Sequence, residues 1–108
     1  MRRPESEKAF AARVRKEIEA MPRTWCFKPF TGSVRGIPDL ICCVSGWFVS
    51  LEFKKAGAAK DSSRERLQEY VASKIRFAGA PIAEHRVTPA SWPAIRERLV
   101  QMAGETFS

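Results

Sequence analysis

Apolar residues recur along this chain in helical and in alternating rhythms, and these divide it into seven elements. Over residues 6–20, Phe10, Val14, Ile18 and Met21 follow at spacings of four, four and three, one stripe of a helix. Ser6 is its expected N-cap and Pro22 ends it. Residues 24–30 are aromatic-rich and read as a strand. Two β-branched-rich runs then flank Ser45-Gly46, a two-residue link of the kind that closes an antiparallel hairpin. A second helix is expected over 62–78, with Leu67, Val71, Lys74 and Ala78 on one side, Tyr70 and Phe77 widening it, and Gly79 with Pro81 stopping it. Residues 81–87 make a short strand. Thr88 as cap and Pro89 as first helical residue open a last helix, with Trp92, Ile95, Leu99 and Met102 buried and Gly104 closing it. The order helix-strand-strand-strand-helix-strand-helix predicts a single small α/β domain with a mixed central sheet. In it, the strand after the second helix pairs in parallel with a hairpin strand through a right-handed crossover.

The hairpin carries the first chemical signal. With Ser45 and Gly46 as the turn, Val44 faces Trp47, and counting outward sets Asp39 opposite Glu52. Alternation puts Phe48, Ser50, Glu52 and Lys54 on one face, joined by Asp39, and Trp47, Val49, Leu51 and Phe53 on the other. Facing carboxylates repel, and a hard divalent cation such as magnesium would turn that repulsion into a binding site. The same residues also fit plainer roles, since Pro-Asp begins many turns and Glu and Lys are ordinary on a wet strand face. Glu7 lies one turn before Phe10, on the stripe facing the core, where an acid is unexpected. Glu17 lies near the same stripe and competes with it. A first-turn acid complementing the helix dipole is the plain account of Glu7, and a solvated surface residue that of Gln68.

Charge changes the picture. The chain has 108 residues, 44% hydrophobic and 29% charged, the balance of a folded domain, and a formal net charge of +7. So basic a small domain expects a polyanionic partner, with nucleic acid ahead of an anionic membrane surface. No apolar run approaches the roughly 20 residues that span a bilayer, and no signal-peptide core follows the N-terminus, so a cytoplasmic protein is expected. Three cysteines are an odd number, and adjacent Cys42 and Cys43 point to opposite faces of a strand, so these and Cys26 read as reduced packing residues. No Cys or His spacing suggests zinc. His85, the single histidine, reads as structural, and Arg96 and Arg98 as solvated charge. The polar segment with Ser33, Arg35 and Gly36, and the small basic loop after Lys55 that holds Lys60, are the segments suited to approach phosphates.

Gly36-Ile37-Pro38-Asp39-Leu40 followed by Glu52-Phe53-Lys54, with a helix bearing Glu7 before and a helix bearing Gln68 and ending at Gly79 after, resembles the PD-(D/E)XK nuclease superfamily. The pattern is more similar to its VRR-NUC (virus-type replication-repair nuclease) family, and the resemblance covers about residues 5–88. It implies a restriction-endonuclease-like fold and a magnesium-dependent endonuclease, with manganese able to substitute. Asp39, Glu52 and the carbonyl of Phe53 would hold the metal, with Glu7 completing the site directly or through water. Lys54 would orient or activate the attacking water, and Gln68 would support it. The family often carries Ser or Thr three residues before this glutamine, where this chain has Glu65. Minimal single-domain members resemble phage-type enzymes that cut branched DNA, four-way junctions above all, as homodimers in the host cytoplasm. The resemblance therefore implies a twofold dimer, expected through Trp25, Phe27 or Phe30 or through the last helix with Trp92. A nuclease for flaps, nicked duplex or RNA, and a silent DNA-binding module, share the same fold. Ser33, Arg35, Lys55 and Lys60 are the candidate nucleic-acid contacts. Acidic metal ligands, a neighbouring lysine and a basic surround are what phosphodiester hydrolysis needs.

Overall fold

A computed structural model describes residues 5–30, 35–58 and 62–104. The elements follow the expected order: α1 (Glu7–Glu19), β1 (Thr24–Phe27), β2 (Leu40–Val44), β3 (Trp47–Phe53), α2 (Ser63–Phe77), β4 (Ile82–Val87) and α3 (Trp92–Gly104). The four strands form one sheet in the order β1-β2-β3-β4, antiparallel except for the parallel pair β3 and β4. The fold is thus a small α/β domain with a mixed sheet. No helix among the described residues is long and apolar enough to cross a membrane.

One face of the sheet holds the core. Phe10, Val14 and Ile18 of α1 are fully buried, Met21 packs partly against them, and the Ser6 hydroxyl accepts the Ala9 N–H at 3.1 Å as N-cap. Cys26, Leu40, Cys42, Val49, Leu51 and Phe53 project from the strands into this layer, which α3 completes with Trp92, Ile95, Leu99 and Ala103. Cys26 and Cys42 are free thiols with sulfurs 3.2 Å apart, and Cys43 points the other way into solvent. Ser45 and Gly46 both take positive φ, 50° and 89°, the two-residue turn that closes the hairpin with Val44 opposite Trp47.

Several boundaries and faces depart from expectation. β1 stops at Phe27, short of residue 30. The last helix begins at Trp92, because Thr88 and Ser91 cap each other around a separate turn: the Ser91 N–H donates to the Thr88 hydroxyl at 3.2 Å and the Thr88 N–H to the Ser91 hydroxyl at 2.9 Å. Its buried face ends in Ala103, with Met102 only partly covered. Arg96 and Arg98 are exposed as expected, and each also makes a surface contact: Arg96 pairs with Glu17 at 3.1 Å, and Arg98 donates to the Pro81 carbonyl at 3.1 Å. The largest departure is α2. It buries Glu65, Gln68 and Ala72, while Tyr70, Phe77, Lys74 and Ala78 are exposed.

Candidate active site

Helix α2 lies against β4 and β3 on the face opposite the core, and Ser62 starts it by accepting the Glu65 N–H at 3.0 Å. Ser50 and Glu52 of β3 project under it and are buried. Beneath the helix this face is therefore dry, unlike the wet strand face of the plainer reading. Into that layer Gln68 reaches with both ends of its amide. Its Nε2 donates to Glu52 Oε1 at 2.8 Å, and its Oε1 accepts from Lys54 Nζ at 2.8 Å. A single glutamine thus holds a lysine and a carboxylate in one line without letting them neutralise each other directly.

Asp39 closes the other side. It stands just before β2, where continuation of the hairpin register from Leu40 opposite Leu51 sets it against Glu52, as the sequence predicts. Its Oδ2 accepts the Phe53 N–H at 2.9 Å. A strand residue's N–H and C=O project toward the same neighbouring strand, so the Phe53 carbonyl lies on Asp39's side. Glu52 is strained electrostatically. Burial first, then the charge of the neighbouring Asp39, push its pKa up from 4.5 to about 8, against the opposing pull of Lys54 and Arg64. Its Oε2 is buried with no hydrogen-bond partner. An orphaned, desolvated carboxylate oxygen beside a second carboxylate is a donor set that fits a hard divalent cation.

The pair lines a cleft of about 880 Å³ whose wall also carries the cations Lys28, Arg35 and Arg64. Asp39 and Lys28 also line a second cleft, of about 350 Å³, which Glu7 and Phe53 share. Glu7 is exposed there in the first turn of α1, so its place on the core stripe is corrected: the first turn overhangs the edge of the core. Glu17 is occupied elsewhere, accepting from Arg13 at 3.1 Å and Trp92 Nε1 at 3.3 Å and pairing with Arg96. Among the described residues no three His, Cys, Asp or Glu side chains form a metal-ligand group. The third acid is thus not in place as a direct ligand beside the other two.

The remaining candidates divide. Arg35 lines the larger cleft, Lys55 is exposed and is not among the residues lining either cleft, and Ser33 and Lys60 lie outside the described residues. Glu65, where the family often has Ser or Thr, faces β4 and pairs with Arg86 at 2.8 Å and His85 at 3.8 Å. Sequence reasoning passed over Lys28 and Arg64. Arg64 was marked by its place two residues after the Ser62 cap, in the first turn of the glutamine helix. Gly36 is a close-packing position: at φ +80° an added Cβ would meet Leu67 Cγ and Val71 Cγ2 at 2.9 Å. Near Glu52 the parallel register slips, with Leu51 opposite Glu84 but Phe53 opposite Val87, a bulge that breaks the regular pairing beside the site.

Comparison with known protein families, curated proteins and solved structures finds no match to this chain.

Proposed function

We propose that the chain is a divalent-metal-dependent endonuclease that hydrolyses phosphodiester bonds in branched DNA, with four-way junctions cut by a homodimer as its specific form. The observation that carries the reading is the buried Glu52 with its orphaned oxygen, set beside the half-buried Asp39 and bridged to Lys54 through Gln68. Asp39, Glu52 and the Phe53 carbonyl would hold magnesium, or manganese in its place, with Glu7 reached through water. The bound cation would supply Lewis-acid stabilisation of the charge that builds on the phosphate.

The chain's own residues do the rest. Gln68 holds the Lys54 ammonium on the far side of its amide from Glu52, and from there Lys54 would hydrogen-bond and orient the attacking water. Because Gln68 is neutral, Glu52 keeps its capacity to bind a cation while its Oε1 is held still. Lys28, Arg35 and Arg64 along the cleft match the phosphates on either side of the cut. Neither a base-reading motif nor a recognition helix is present in the sequence, so selection acts on backbone and shape. Symmetric cutting of a junction needs two sites, and this chain offers one, hence the dimer. Trp92 is buried at 2% exposure, so the last helix's tryptophan is not free to make that contact.

Cleavage of labelled single strand, duplex, flap, splayed arm and four-way junction with magnesium or manganese tests the reading. Wild type is expected to place paired nicks in the junction. Lys54→Ala is expected to lose at least about a hundredfold in rate while binding the junction as before. No cleavage of any substrate, with binding intact, would leave a silent binding module.

A further inference from the structure

Half of the sheet face that carries α2 is uncovered. The register lines up Trp25, Cys43 and Phe48 in one row across β1, β2 and β3, and Phe27, Ile41, Ser50 and Ala83 in the next. Residues opposite one another across strands share a face, so both rows belong to the face of Glu52. Helix α2 covers Ser50 and Ala83, which are buried, but Trp25 is 64% exposed, Phe27 46% and Phe48 43%. The rings of Trp25 and Phe27 are parallel within 4°, with centroids 5.9 Å apart. Two residues further along this face, about 7 Å, come Asp39 and Glu52, with Lys28 and the 89% exposed Phe30 on the cleft wall.

We propose that this aromatic face is a stacking platform for unpaired bases of a strand whose backbone enters the Asp39–Glu52 cleft. The inference rests on the nuclease reading above and narrows its substrate to DNA with unstacked or single-stranded nucleotides beside the cut. Exposed rings in water mark a contact surface, and every base offers a π-face to such rings whatever its identity. Charge selects the occupant. The cores of protein interfaces are depleted of charge, whereas these rows run straight into Lys28 and Arg35 at the cleft, the arrangement that meets phosphates and bases together. At one and two steps from the carboxylates, Phe27 and Trp25 stand within reach of the first nucleotides beyond the cut.

The test is anisotropy of labelled oligothymidylate, and of a paired duplex of equal length, titrated with full-length protein in chelator, so that neither metal nor turnover enters. Trp25→Ala and Phe27→Ala are each expected to weaken single-strand binding about tenfold and duplex binding little. The slope of log affinity against log salt should stay as in wild type for both, and become shallower for Lys28→Ala. Trp25→Leu keeps an apolar side chain but no extended ring. It should lose binding as the alanine variant does if bases stack there. Unchanged oligothymidylate affinity in the ring variants would overturn the platform. So would a wild-type dimer, measured by sedimentation, that Trp25→Ala dissociates and Trp25→Leu preserves, which would assign the face to a second copy. Ring-dependent binding without cleavage of any substrate in magnesium would sink the nuclease reading alone.

Discussion

The two faces of the sheet are built from opposite materials. Toward α1 and α3 the strands bury Leu40, Cys42, Val49, Leu51 and Phe53 against Phe10, Val14, Ile18 and Leu99, with only apolar and aromatic atoms meeting at the centre. Toward α2 the buried residues include Ser50, Glu52, Glu65 and Gln68. Apolar burial stabilises by about 25 cal/mol per Å², whereas each polar group taken from water must recover its lost hydrogen bonds to break even. The first face therefore holds the fold together. The second recovers only part of its polar bonds and leaves Glu52 Oε2 and Ser50 Oγ without one, and an unrecovered cost in a well-made domain is where function is expected.

Breaking the apolar face should give the largest effect. Leu99 is fully buried in α3, on the far side of the sheet from the carboxylates. Leu99→Ala is expected to cost about 2–5 kcal/mol, read by urea unfolding, while the cleavage rate per folded molecule stays near wild type. A rate loss matching the fraction unfolded would leave the division of labour intact; a separate loss in the folded fraction would break it.

The polar face should answer to pH instead. Glu52 keeps its proton up to about pH 8 when folded, against an ordinary value of 4.5. Between those values the folded protein holds a proton that the unfolded chain has released, so this stabilisation is complete below about 4.5 and lost as pH rises through 8. Its size is on the order of a few kcal/mol. Metal-free wild type should therefore lose melting temperature from pH 5 to pH 8.5 more steeply than Glu52→Gln, whose amide oxygen can still accept from Gln68. Parallel curves for the two proteins would show that Glu52 is not the strained group.

How much of this was legible in the sequence follows the same division. The α1 stripe is apolar at regular spacing, and the Ser45-Gly46 turn sets the register, so the core face and the approach of Asp39 to Glu52 could be read by counting. Helix α2 could not be read that way. Its buried positions Glu65, Gln68 and Ala72 are two polar residues and a small one, and a search for apolar stripes chose Tyr70 and Phe77, which are exposed. Only the resemblance singled out Gln68. The Thr88–Ser91 cap and the β4 register slip rest on local hydrogen bonding that no periodicity reports. Trp25 and Phe27 read as candidate interface residues, but which half of the sheet α2 leaves open depends on the packing of a helix whose face was misread.

Gly36 tests how tightly α2 is held on its polar face. With positive φ and less than van der Waals room beside Leu67 and Val71, Gly36→Ala is expected to cost about 2 kcal/mol. Because that strain pushes on the helix carrying Gln68, cleavage should fall by more than the lost stability explains. Equal stability in thermal melts would mean the segment before Asp39 yields without moving α2.

The smallest effects should separate the two acids of α1, three turns of one helix with different occupations. Glu17 is engaged by Arg13, Arg96 and Trp92, so Glu17→Gln loosens the contact of α1 with α3. Partly exposed ion pairs contribute up to about 1 kcal/mol, so a melting-temperature drop of a few degrees is expected, with turnover unchanged. Glu7 is exposed and lines the cleft that Asp39 shares, so removing its charge leaves the fold as it was. Glu7→Gln is expected to lower turnover several-fold and to raise the magnesium concentration for half-maximal rate, an effect that reports on the cation rather than on stability. Were Glu17→Gln to carry the magnesium dependence instead, the helix acid would lie on the core side of α1. The second cleft would then play no part in the site.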